Sequence, residues 1–227
     1  MRHDIDVAMY SVFIARDASS YAQVEFDWQV FPPHIEGLYT PIDLINALGG
    51  YAMITSAGGF VGKASLIFEH NITFIPHILY EDIAFVTQAI MCCKNLYISR
   101  EPVYNYLLNP LSISNTPMTR KKQIQSTYSY FMTLQTFVQF FKEQENPVMK
   151  EYFYRACVDT CKKITKTLQF VGYVKELGFS KKDLLSLLPQ FNIKGKTYFC
   201  CLFPRIYGFP KRVRLALQRC ILSLSSL

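Results

Sequence analysis

The period of the hydrophobic pattern changes once along this 227-residue chain, close to Pro117, and that change restricts the fold more than any single motif. Upstream, apolar residues come in strand-like runs. Asp4 to Ala15 is mostly apolar, as expected of a strand buried on both faces, and Ala22 to Phe31 alternates, with Val24, Phe26, Trp28 and Val30 on one side. Pro32-Pro33 ends that run, because proline cannot donate to a ladder. Downstream, Ile124, Tyr128, Phe131, Leu134, Val138 and Phe141 recur at three-to-four spacing, the mark of a helix with one apolar face. Glu143-x-Glu-Asn-Pro147 breaks this helix, and Met149, Phe153, Ala156, Cys157, Ile164, Leu168 and Val171 define a second. Gly178-Phe-Ser180 caps a third, Lys181 to Leu188. The pattern predicts a mixed α/β unit over residues 1–115, a helical extension over 116–190 and a basic amphipathic tail over 191–227.

Half of the residues are hydrophobic, with 18 Phe and 15 Tyr, so the chain can bury a sizeable core and does not have the composition of a disordered one. Its 24 Lys and Arg against 17 Asp and Glu give a net charge of +7, which suits an anionic partner. The seven cysteines lack the even spacing of a disulfide framework, and Met1-Arg-His-Asp does not start a signal peptide. Both point to a reducing, cytoplasmic setting. No stretch reaches the roughly 18 uninterrupted apolar residues of a transmembrane helix. A soluble protein is expected, or one peripheral at the inner face of a membrane.

Short helices punctuate the α/β half. Thr40 followed by Pro41 starts one that Gly49-Gly50 closes, and another spans about Lys63 to His70. Between them, Ser56 to Gly62 reads as a flexible glycine-rich passage. Gly58-Gly59-x-x-Gly62 lacks the strand–turn–helix setting, with its Lys-Ser/Thr, of a phosphate cradle. A proline-containing segment then leads to Tyr80-Glu81-Asp82, and Ile83, Phe85, Val86, Ala89 and Ile90 follow at helical spacing. Glu81 and Asp82 thus fall in a first helical turn, where free N–H groups and the helix dipole favour negative charge. An acidic helix start of this kind is common in any protein.

Four short patterns occur here in order: Asn71-Ile72-x-Phe74, Tyr80-Glu81-Asp82-x-x-Phe85, Pro102-Val103-Tyr104-x-Tyr106 and Ser112-Ile113-Ser114. Their succession resembles the second half of the catalytic domain of family 2 glycosyltransferases, inverting enzymes with a GT-A type fold. The resemblance covers residues 1–115 and implies an incomplete GT-A type sheet-and-helix unit. It implies transfer of a sugar from a nucleotide-sugar donor to the hydroxyl of a glycan or lipid-linked acceptor, as in cell-surface polysaccharide synthesis. Asp82 would be the catalytic base, with Glu81 orienting the acceptor or supporting the turn. Lys63, His77, Tyr80, Tyr104 and Tyr106 would line the acceptor side. The resemblance also implies a divalent cation, Mg or Mn, on the donor diphosphate. Its ligands belong to the family's first half, for which residues 1–227 hold no counterpart, so this chain alone is expected to be inactive. One departure stands out. Where the family has Trp-x-Lys before the helix at 63–70, this chain has Ala57-Gly58-Gly59-Phe60.

Other chemistry finds little support. Asp4-x-Asp6 matches the family's metal motif literally, but it opens a strand where the family's motif closes one. None of the four histidines, His3, His34, His70 and His77, has triad partners or forms His-Glu-x-x-His. Cys157 and Cys161 share a helical face without a second pair at zinc spacing. In the tail, Val213, Ala216, Leu217, Cys220, Ile221 and Leu224 form an apolar face with Lys211, Arg212, Arg214 and Arg219 off it. Such a helix suits either an anionic bilayer, with membrane contact through residues 204–227, or docking on its own domain. A non-enzymatic basic helical adaptor at a membrane surface is therefore the competing class. A nucleic-acid partner is not expected, since the basic residues are scattered and no recognition motif is present.

Overall fold

A nine-residue strand, β1 (Val7–Ala15), is the spine of the sheet. The computed structural model describes residues 4–15, 26–28, 31–32, 34–52, 57–107, 109, 112 and 115–207. Within them, β5 (Leu96–Leu107) runs parallel to β1 from Val7 opposite Leu96 to Ala15 opposite Leu107. β3 (Gly37–Tyr39) lies antiparallel on the outer edge of β5. The other edge of β1 is shared. β4 (Phe60–Gly62) pairs with Val7–Met9, and β2 (Phe26–Trp28) with Val12–Ile14, both antiparallel. The five described strands make one mixed sheet in the order β2-β1-β5-β3, with β4 also on β1. Its register slips twice between Met9 and Val12, where β5 takes extra residues around Pro102. A bulge of this kind tolerates a proline that a regular ladder would not.

A parallel pair needs a crossover, and three helices between β1 and β5 lie along it. The first, α1 (Pro41–Ala47), starts with a reciprocal cap: the Asp43 N–H donates to Thr40 Oγ1 (3.2 Å), and the Thr40 N–H to the Asp43 carboxylate (3.4 Å). α2 (Ala64–Glu69) is short, and α3 (Glu81–Cys92) buries every residue from Ile83 to Met91. A helix apolar on all sides belongs inside the core.

No strand follows Leu107 among the described residues. α4 (Arg120–Glu143) and α5 (Pro147–Val171) meet at Asn146, whose side-chain oxygen accepts the N–H groups of Val148 (2.9 Å) and Met149 (3.2 Å). α6 (Lys181–Leu187) begins on a capping box formed by Ser180 and Asp183. Two helices then occupy part of the expected tail, α7 (Gly195–Leu202) and α8 (Pro204–Tyr207). The anticipated amphipathic segment from Lys211 to Leu224 lies outside the described residues, as do Ile113 and Ser114.

The chain divides into two compact units. One contains Met1–Met118 and Glu143–Ala156, the other Thr119–Lys142 and Cys157–Leu227. The first is built on the sheet, with Val7, Met9, Leu44, Ile90, Leu96 and Phe153 in its core. The second is helical, cored by Leu134, Phe137, Ile164, Leu168, Leu184 and Phe191. Among the described residues no helix is long and apolar enough to cross a membrane.

The glycine-rich passage corrects the expectation of a flexible loop. Phe60–Gly62 is a strand, and Gly58-Gly59 is the turn that lays it on β1. The Tyr10 N–H donates to the Gly59 carbonyl (2.9 Å), and the Lys63 N–H to that of Asp6 (2.8 Å). Gly59 sits at φ +77°, and a Cβ there would lie 2.4 Å from the Tyr10 carbonyl oxygen. Only glycine satisfies both conditions.

Candidate active site

The loop into α3 is bent by residues that rarely bend. Tyr80 holds φ 61°, ψ 37° at the N-cap of α3, in the left-handed region, and offers no side-chain cap. Among the described residues four non-glycines have positive φ, and three of them, Asn71, His77 and Tyr80, belong to this loop. Asparagine and histidine tolerate that conformation; for a bulky tyrosine it stores on the order of 1–3 kcal/mol, the kind of strain that gathers at functional sites.

This bend delivers Glu81 and Asp82 to the first turn of α3 in different settings. Glu81 is exposed and Asp82 half-buried. Burial raises the Asp82 pKa above its ordinary value, and the adjacent Glu81 charge adds to the rise. The backbone N–H groups of Ala57, Ile83 and Asp82 itself oppose the shift without cancelling it. The result is a carboxylate more basic than a free aspartate, held by an amide of the glycine-rich turn.

An aromatic stack adjoins it. Phe85, one turn along α3 from Asp82, stacks on Phe74 with centroids 4.0 Å apart and planes within 8°, and meets Phe60 edge-on at 5.7 Å. Phe85 is buried, while Phe74 stays 48% exposed. Two of the sequence patterns, the one ending in Phe74 and the one ending in Phe85, therefore touch through their last residues. Phe74 and the Ala57 amide were not among the expected site residues. Neither has a local signature in sequence, since Phe74 reaches the site through its stack on Phe85 and the amide through the turn.

The remaining expected residues are spread out. Tyr80 is half-buried beside the acidic pair, and His77 is exposed in the loop before it. Tyr104 and Tyr106 lie on β5 opposite Val12 and Ile14. Lys63 is engaged elsewhere. Its ammonium bonds the Asp4 carboxylate and Asp6 Oδ1 (3.0 Å). The other Asp6 oxygen accepts the N–H groups of Lys94 (2.8 Å) and Asn95 (3.3 Å). Burial alone would raise the Asp6 pKa, but Lys63 and the two amides outweigh it and hold the carboxyl below its ordinary value.

That arrangement does not fit a divalent cation. An ammonium bridges Asp4 and Asp6, and both Asp6 oxygens are committed, whereas such a cation needs a shell of free oxygen donors. Among the described residues no group of three His, Cys, Asp or Glu could hold a metal. The thiols offer no activated nucleophile in the sheet unit either: burial, with Asp6 and Cys92 nearby, pushes Cys93 up to about 12. No protein-family model matches this chain, and no curated protein is similar to it in sequence.

Proposed function

We propose that this chain carries the acceptor side of an inverting glycosyltransferase resembling family 2, with Asp82 as the general base. One observation carries the proposal: a half-buried Asp82 carboxylate of raised pKa, beside Glu81 and behind a left-handed Tyr80. A base must be ionised at the working pH yet basic enough to draw a proton as the new bond forms, and partial burial moves aspartate in that direction. Asp82 would take the proton of the acceptor hydroxyl. The hydroxyl oxygen would attack the anomeric carbon, and the nucleoside diphosphate would leave with the electrons of the broken C–O bond, inverting the centre. The half-exposed ring of Phe74, stacked on Phe85 one turn along α3 from this carboxylate, would give a sugar face an apolar platform. Among the described residues no His, Cys, Asp or Glu cluster could hold the diphosphate's cation.

The test is sugar transfer by a polypeptide in which this chain follows a family 2 nucleotide-binding half. Asp82→Asn is expected to lower kcat about 10²–10⁴-fold, the usual contribution of a general base, with a smaller change in donor KM. The pH profile should rise through an apparent pKa above that of free aspartate, in keeping with the direction of the shift. Full activity of Asp82→Asn would remove the assignment.

A further inference from the structure

The whole of the net charge lies after Asp183. Up to that residue Lys and Arg equal Asp and Glu at 17 each; residues 184–227 hold the other Lys and Arg and no acid at all. The described part of this stretch also exposes apolar rings. On α7, Cys200 and Cys201 point into the helical unit and are buried. Lys196, Phe199 and the C-cap residue Phe203 follow one another at three- and four-residue spacing on the side away from Cys201, with Phe199 50% and Phe203 41% exposed. The two rings pack on each other with centroids 5.1 Å apart and planes tilted by 52°. Lys181 Nζ sits 5.1 Å from the Phe203 centroid, and Lys194, Lys196 and Arg205 are exposed. Two exposed phenylalanines packed side by side form a small apolar patch rather than isolated surface residues.

We infer that this face of α7 docks on an anionic membrane, its phenylalanines entering the headgroup boundary while Lys181, Lys194, Lys196 and Arg205 meet lipid phosphates. Aromatic residues flanked by cations, on a stretch that carries no acid after Asp183, match the chemistry of that boundary. A single-stranded nucleic acid would also answer the charge, but it needs open ring faces for its bases. Here Phe199 and Phe203 pack against each other at a tilt, and Lys181 lies over the Phe203 ring. The inference is independent of the role given to Asp82.

Co-sedimentation of the full chain with vesicles tests it. Binding is expected to phosphatidylglycerol–phosphatidylcholine vesicles and not to phosphatidylcholine alone, and it should weaken at high salt. The double substitutions Phe199→Ser/Phe203→Ser and Lys194→Glu/Lys196→Glu should each lower the partition about tenfold or more. Far-UV circular dichroism checks folding. Should the phenylalanine variant misfold, the lysine pair, fully on the surface, decides. Partition of a folded variant equal to that of the parent, equal binding to neutral vesicles, or no vesicle binding would each overturn the inference. An oligonucleotide bound in place of vesicles, and lost in the same variants, would reassign the face to nucleic acid.

Discussion

Two aspartates show how position decides what a carboxylate does. Asp6 is paired: Lys63 and two backbone amides more than offset its burial, so its ionised form stabilises the fold. With its pKa depressed, that stabilisation is in place above the ordinary aspartate pKa and is lost as pH falls through the lower, folded value. Asp6→Ala is expected to cost about 1–2 kcal/mol at neutral pH in urea unfolding, by loss of charge-assisted bonds near the surface, and the difference from the parent should shrink in acid. An unchanged midpoint at neutral pH would show the amide bonds to be immaterial. Asp82 is the converse. Its raised pKa means the folded state disfavours the charge, so the fold is favoured below the unfolded pKa and this advantage is lost as pH rises through the folded one. Asp82→Asn should therefore unfold at higher urea than the parent above the raised pKa, with the gap closing in acid. Equal stability at neutral pH would deny that Asp82 is strained there. The sequence places Asp82 in a first helical turn, and the structure agrees. It does not reveal Asp6 as a surface anchor, because the partners, Lys63, Lys94 and Asn95, are far along the chain.

Elements were legible where their signals are local. Thr40-Pro41, the break from Glu143 to Pro147 and Ser180 mark helix starts by side-chain chemistry alone, and each cap is present. Asn146→Ala, which frees the Val148 and Met149 N–H groups, should cost about 1 kcal/mol. β4 was hidden for the opposite reason. Its three residues acquire strand geometry only by lying on β1, and Gly58, Gly59 and Gly62 read locally as a loop. Gly59 makes that contact sterically feasible, so Gly59→Ala must push against the Tyr10 carbonyl in a left-handed conformation. A loss of about 2–4 kcal/mol is expected in thermal or urea unfolding, combining backbone strain with a damaged β1–β4 edge. If the proposed role of Asp82 holds, the same substitution disturbs the Ala57 amide and lowers transfer as well. A stability within experimental error of the parent would mean that the turn rearranges freely.

At the scale of the whole chain, fold class follows from periodicity, but pairing does not. Nothing local tells β1 to lie parallel to a strand some ninety residues away, or to share one edge between β2 and β4. Nor does the pattern show that α5 serves both units. Its first turns, with Tyr152 and Phe153 fully buried, belong to the sheet unit, and from Cys157 onward, with Ile164 and Leu168, to the helical one. A helix propagates residue by residue, so melting one part leaves the other with a frayed end. The two units should therefore lose structure together. Thiols report this, because Cys93 lies in the sheet unit and Cys157, Cys161 and Cys201 in the helical one, all buried. Burial pushes Cys93 and Cys157 upward, which keeps these thiols protonated as well as inaccessible in the folded state. In increasing urea at mildly alkaline pH, alkylation located by peptide mass spectrometry should reach Cys93, Cys157, Cys161 and Cys201 over one common transition. The half-buried Cys92 should be modified earlier. Two well-separated midpoints, one for Cys93 and another for the helical-unit thiols, would show that α5 does not couple the units. Rapid labelling of Cys161 and Cys201 without denaturant would instead overturn their burial.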